Sequence, residues 1–271
     1  MTTYILGNGF DIAHDLDTSF ESFRDYLAEK QSPLLYLFDG DYYWSDFEKN
    51  MCAVDYENYR TIHGMFNGIP RFVNSLFDDI CEELFPFLDK NDFTCKKAFR
   101  FRKNDIFLNF NYTPTLFGTY DISVNNVYHI HGSIMEKMFD SKSRLILGHD
   151  ESDYDVNPNF FSGRFEKEYI DFISYTEKPY KAIIKSDKFR LFMERINNCD
   201  RIVVYGLSYG SVDMNYIEYI LNNINDSIKI VFYYYSDDDL ERLNNFLDKY
   251  TRKIDYEKKC CKGEKYNEER I

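Results

Sequence analysis

The chain has 271 residues, 44% of them hydrophobic and 18% aromatic, with 24 tyrosines, 25 phenylalanines and one tryptophan. That length carries one large domain with a full core, or a domain with a sizeable insertion. A formal charge of −13 gives no general attraction for a phosphate backbone, which argues against a broad nucleic-acid surface.

The six cysteines, at 52, 81, 95, 199, 260 and 261, form no CxxC pair and fit neither a zinc ribbon nor a disulfide framework. No apolar run approaches membrane-spanning length, and Met1 opens on a strand pattern rather than a signal peptide. The expectation is a cytoplasmic protein with no membrane partner.

Taken in order, Thr3–Leu6 reads as a short buried strand that stops at Gly7. An amphipathic stretch, apolar at Phe20, Phe23, Tyr26 and Leu27, follows Thr18 or Ser19 as N-cap. Helical periodicity then runs from about 44 to 90, through Trp44, Phe47, Met51 and Val54 and on to Phe72, Leu76, Ile80 and Leu84. Further strands are predicted at Asp105–Phe110, Asn126–Ile130, Arg144–Leu147, Arg201–Tyr205 and Ile228–Tyr235. The stretch 154–198 reads as mostly helical, helices are predicted near 212–223 and over 237–249, and the charged tail from Lys258 is expected to fray. Strands separated by helices predict an α/β, Rossmann-like, mostly parallel sheet with helices on both faces. One domain spans 1–271, with a helical insertion or subdomain over about 44–104 after the first strand.

In such a sheet, ligands sit beyond the carboxyl ends of the strands. The first strand ends in Gly7-Asn8-Gly9-Phe10-Asp11, a turn suited to backbone approach by a phosphate, although Ile12 occupies the third glycine position of the dinucleotide fingerprint. Asn109-Phe110-Asn111-Tyr112-Thr113-Pro114 closes the second strand. Asn111 there suits a ribose hydroxyl or a water, or caps the turn. His129-Ile130-His131-Gly132-Ser133 closes the third and puts His131 at the edge with the near-neutral pKa of a general base. Gly148-His149-Asp150 and Gly206-Leu207-Ser208-Tyr209-Gly210, with Asp213, close the next two. Five such clusters on one edge are the main argument for a site there. No GxxxxGK[ST], GxSxG or HExxH motif is present, and no metal is expected.

Ile5 to His14, Trp44-Ser-Asp-Phe-Glu48, Asn109 to Thr113, His129 to Gly132, Leu147-Gly-His149 and Tyr205 to Gly210 with Asp213 together resemble the AbiH family of bacterial abortive-infection proteins that act against bacteriophage. The same succession is similar, more distantly, to sirtuin-like NAD-binding domains, among them defence proteins that hydrolyse NAD. That likeness implies that Gly7, Asn8, Gly9, Phe10 and Asp11 meet the pyrophosphate region. It implies that Asn111 and His131 are catalytic, and that Thr113, His149, Gly206, Ser208 and Asp213 complete the binding site. Asp11 stands where sirtuins carry a small hydroxyl residue, and the missing CxxC pair argues against deacetylation. The expectation is an NAD glycohydrolase in phage defence, with NAD as substrate and a homo-oligomer or a defence-system protein as partner. The alternatives are a non-catalytic nucleotide-binding sensor and a metal-dependent nuclease using Asp11, Asp150 and Asp213.

Overall fold

The structure is a computed structural model and describes residues 1–38, 40–54, 74–139, 144–150 and 166–262. Six strands form one sheet: β1 (Thr2–Leu6), β2 (Ile106–Asn109), β3 (Val127–His129), β4 (Arg201–Tyr205), β5 (Lys229–Tyr234) and β6 (Tyr256–Cys260). The order is β3-β2-β1-β4-β5-β6, and each neighbouring pair is parallel. This is the strand order of doubly wound dinucleotide-binding sheets, so the Rossmann-like α/β expectation is met.

The sheet is buried on both faces, which explains why its central strands are continuous apolar runs rather than alternating ones. Register places Tyr4 beside Phe107 and Val203, and Val203 beside Val231. These side chains join Leu6, Phe10, Phe99, Tyr205 and Tyr233 in one core cluster. Ile5, Leu108, Val204 and Phe232 point the other way and are as deeply buried. Two of the helices between the strands, Asp187–Ile196 and Asp237–Lys249, start on side-chain caps. Ser186 accepts from Phe189 N, and Ser236 forms a full capping box with Asp239.

The chain divides into two compact units. Met1–Asp17, Asn91–Leu145 and Pro179–Ile271 make the first, which carries the whole sheet, and Thr18–Lys90 with Ile146–Lys178 make the second. The second unit is helical, with Phe20–Glu29, Asn74–Asp89 and Glu166–Thr176 as its longest described helices. Its aromatic residues form its core: Phe23 lies 5.2 Å from Phe87 and Trp44 lies 5.3 Å from Phe47, ring centre to ring centre.

Three expectations change. Arg144–Leu147 is not a strand. Leu145 and Leu147 are buried, but among the described residues the segment has no ladder partner, and the nearby His149 makes an isolated bridge to Glu177. An apolar alternation marks an extended chain without saying whether a neighbour pairs with it. Conversely, Lys258–Cys260 does not fray. The charged segment Tyr256–Cys260 pairs along β5 as an edge strand, where charge on the free side discourages further pairing. The stretch 44–54 consists of short helical turns rather than one helix. The expected helical positions at Phe72 and 154–165 lie outside the described residues. Among the described residues, no helix is long and apolar enough to cross a membrane.

Candidate functional site

Strand register builds the site. Leu6 sits level with Asn109 and Tyr205, and Asn109 sits level with His129. The carboxyl ends of β1 to β4 therefore share one edge. Strand order runs outward from β1 through β2 to β3 on one side and from β4 through β6 on the other. The switch point lies between β1 and β4, the location where such sheets bind ligands.

Both turns at the switch point are glycine turns, and they pack on one another. Gly7 N donates to Tyr205 O, Gly9 N to Gly206 O and Phe10 N to Gly7 O, each at 2.9 Å. A Cβ on Gly9 would lie 2.6 Å from Gly206 Cα, and one on Gly206, whose φ is +75°, would lie 2.5 Å from Phe10 N. Close backbone contact thus requires glycine here even without a ligand, and these three amide hydrogens are already donated within the protein. Asn8 is half-buried between the two glycines.

Asp11 is fully buried. It accepts hydrogen bonds from Thr113 Oγ1 at 2.5 Å and Thr115 Oγ1 at 2.7 Å. Burial pushes its pKa from 3.8 up to about 6, against the opposing pull of the two hydroxyls. Asp11 and Thr113, both read from sequence as ligand-facing, therefore bind each other and tie the turn after β1 to the turn after β2. Thr115, which sequence reasoning missed, is the third member of this group, and the spacing Thr113-Pro-Thr115 was its signal.

Asn111 is held from three directions. Its N–H donates to Asn109 Oδ1 at 3.2 Å, its carbonyl accepts from His129 Nδ1 at 3.0 Å, and its side-chain Nδ2 donates to Gly7 O at 3.0 Å. Because Gly7 O only accepts, the amide nitrogen must face it, and the chemistry assigns the side chain's orientation. His129 is a supporting residue. Burial lowers its pKa to about 4, so it is neutral near pH 7, and its Nε2 is buried without a hydrogen-bond partner.

His131 is 1% exposed, and its Nε2 lies 3.8 Å from Asp213 Oδ1. Aromatic rings surround it: Phe110 at 5.5 Å and Tyr216 at 5.6 Å, both edge-on, and Tyr112 at 6.5 Å. Asp213 stands in the first turn of the helix Ser211–Asn223. Tyr216 also escaped the sequence reading, although it lies three residues beyond Asp213 and so on the same helical face.

Ser208 is exposed in the turn after β4, beside Gly206 and the buried Tyr209, whose hydroxyl donates to Tyr233 O at 2.5 Å. Deeper in the same unit, His14 Nδ1 donates to Phe10 O at 2.7 Å. Its Nε2 accepts from Tyr120 OH at 2.6 Å, while that hydroxyl accepts from Ala98 N and Phe99 N. Burial lowers the pKa of His14, as a neutral ring in this arrangement requires.

His149 belongs to the second unit. Its ring nitrogens face Asp150 O at 2.9 Å and Ile173 O at 3.1 Å. In that unit Lys178 Nζ pairs with Glu48 Oε2 at 3.2 Å, so the Glu of Trp44-Ser-Asp-Phe-Glu48 has a partner 130 residues away. Among the described residues, no group of three or more His, Cys, Asp or Glu side chains has a metal-holding arrangement, and Asp11 and Asp150 fall in different units.

Fold and edge define an α/β protein of doubly wound type whose polar side chains gather at the topological switch point. A family model described as "Bacteriophage abortive infection AbiH" matches residues 3–234, and the chain belongs to that family. Its role is in bacteriophage abortive infection. No curated protein and no solved structure matched the chain.

Proposed function

We propose that this abortive-infection protein binds NAD at the switch point and hydrolyses the bond between nicotinamide and ribose. The observation that carries the reading is one arrangement: Asn111, locked through both its peptide groups and its Nδ2, and His131, buried beside a carboxylate, lie at the edge where the two glycine turns meet. With Nδ2 committed to Gly7, Asn111 presents Oδ1, an acceptor for a ribose hydroxyl. The two glycine turns lie at the switch point, where a doubly wound sheet binds its ligand.

Nicotinamide departs as a neutral molecule from a cationic glycoside, through an oxocarbenium-like transition state. Water then forms the new bond at the anomeric carbon, and His131 takes its proton and passes it to solvent. The products are nicotinamide, ADP-ribose and a proton.

Purified full-length protein incubated with NAD is expected to release nicotinamide and ADP-ribose in equal amounts, measured by chromatography. His131→Ala is expected to reduce the rate by about 100-fold or more, the usual contribution of a positioned base, with an unchanged circular-dichroism spectrum. No nicotinamide release, from purified protein or from phage-infected cells, overturns the reading. A rise in melting temperature with NAD or ADP-ribose but no product makes the chain a nucleotide-binding sensor instead.

A further inference from the structure

We propose that Asp213 is a positioning residue for His131, its carboxylate holding the imidazole's orientation and protonation so that the two act as one acid–base couple. The use of the couple in NAD cleavage rests on the function proposed above, whereas the pairing itself does not.

His131 is 1% exposed and Asp213 Oδ1 lies 3.8 Å from its Nε2, an ion-pair distance rather than a hydrogen bond. The aromatic rings of Phe110, Tyr112 and Tyr216 fill other sides. An imidazole enclosed only by such rings would resist protonation, because burial penalises the charged form. A carboxylate at this distance acts in the opposite sense.

That carboxylate comes from the helix Ser211–Asn223. Asp213 lies in its first turn, after the extended cap residue Gly210, where the peptide dipoles favour an anion. The same helical face carries Tyr216 against the ring, so one helix supplies both the charge and part of the apolar wall. Among the described residues, the titratable groups at the ring include Asp213 and Tyr216 from this helix and Tyr112 from the turn after β2. Two residues before it, at the end of β3, His129 is bonded to Asn111 O.

This reading moves Asp213 from the ligand-binding set to the support of His131. The glycine turn after β4 then aims the helix, and with it Asp213, at the end of β3.

The test is an NMR titration of the five histidines in the full chain, with the His131 signal identified by its loss in His131→Gln. Asp213→Asn is expected to lower the His131 midpoint by about one pH unit, a tenfold change in the protonation constant. Asp213→Glu is expected to recover part of that shift. Asp213→Ser keeps a polar group in the first turn and gives the same readout if the asparagine variant loses its fold. An unchanged His131 midpoint in these charge-removing variants overturns the proposal. In the NAD assay the acid limb of kcat/KM is expected to move with the midpoint. If the wild type cleaves no NAD, the proposed function fails while the titration still decides the pairing.

Discussion

The two compact units treat buried polar groups differently. In the sheet-bearing unit, Asn111, His131, Asp213 and the glycine turns converge on one edge, because parallel strands in register all end there. In the helical unit, polar groups are matched inwardly: Lys178 with Glu48, the His149 ring with backbone carbonyls, Thr176 Oγ1 with Phe172 O. Motif residues occur in both. A polar motif residue therefore points to a site when the topology carries it to the edge at the switch point, and to architecture when it lies away from that edge.

The sharpest way to break this comparison is Gly148→Ala. Gly148 has φ +150°, and a Cβ there would fall 1.7 Å from Thr176 O, the acceptor of His149 N. The expected loss is about 4 kcal/mol or more in urea unfolding. Retained stability with lost NAD cleavage would instead give the helical unit a direct part in function.

Asp11 tests the sheet-bearing unit through pH. Its folded pKa of about 6 lies above the ordinary 3.8, so the fold holds this proton more tightly than the unfolded chain does. The resulting stability is complete below about pH 4 and is lost as pH rises through 6, on the order of 3 kcal/mol in all. Wild-type stability is therefore expected to fall relative to Asp11→Asn between pH 4 and 7. A constant difference between the two proteins would show that Asp11 does not titrate in this window.

Lys178→Ala is expected to cost about 2 kcal/mol. It removes a buried ion-pair partner of Glu48, whose side chain keeps 17% exposure and so some access to water. Lys178→Met combined with Glu48→Gln, which removes both charges, is expected to recover part of that loss in the same urea experiment. Equal losses in the single and double variants would mean that the pair contributes by shape alone.

Much of the sheet was legible because it is written locally. Apolar β-branched and aromatic runs marked β1, β2, β4 and β5 to within a residue or two, the helix at Phe20–Glu29 came from its period and cap, and those at Ser211–Asn223 and Asp237–Lys249 were placed close to their observed spans. The edge strand β6 was not legible. Tyr-Glu-Lys-Lys-Cys resembles a frayed tail unless a neighbour is known to satisfy its backbone. The segment Arg144–Leu147 misled for the converse reason, an extended pattern without a partner. Among the candidate site residues, Gly7, Gly9, Asn111, His131 and Asp213 were singled out by position at strand ends. Thr115 and Tyr216 were not singled out: the spacing Thr113-Pro-Thr115 and the helical offset of Tyr216 from Asp213 mark a shared face without saying which side chain it meets.

The sequence by itself determined the class of fold, the place of the glycine turns and the membership of the AbiH family, since each depends on short runs and their order. Tertiary structure alone decided the strand order, the division into two units and the pairing of side chains. Asp11 meets Thr113 across 102 residues and Lys178 meets Glu48 across 130. Such contacts form only when the whole chain has closed. The glycines show both levels at once: their spacing was visible in the sequence, but only the fold showed that the turns after β1 and β4 require them to touch.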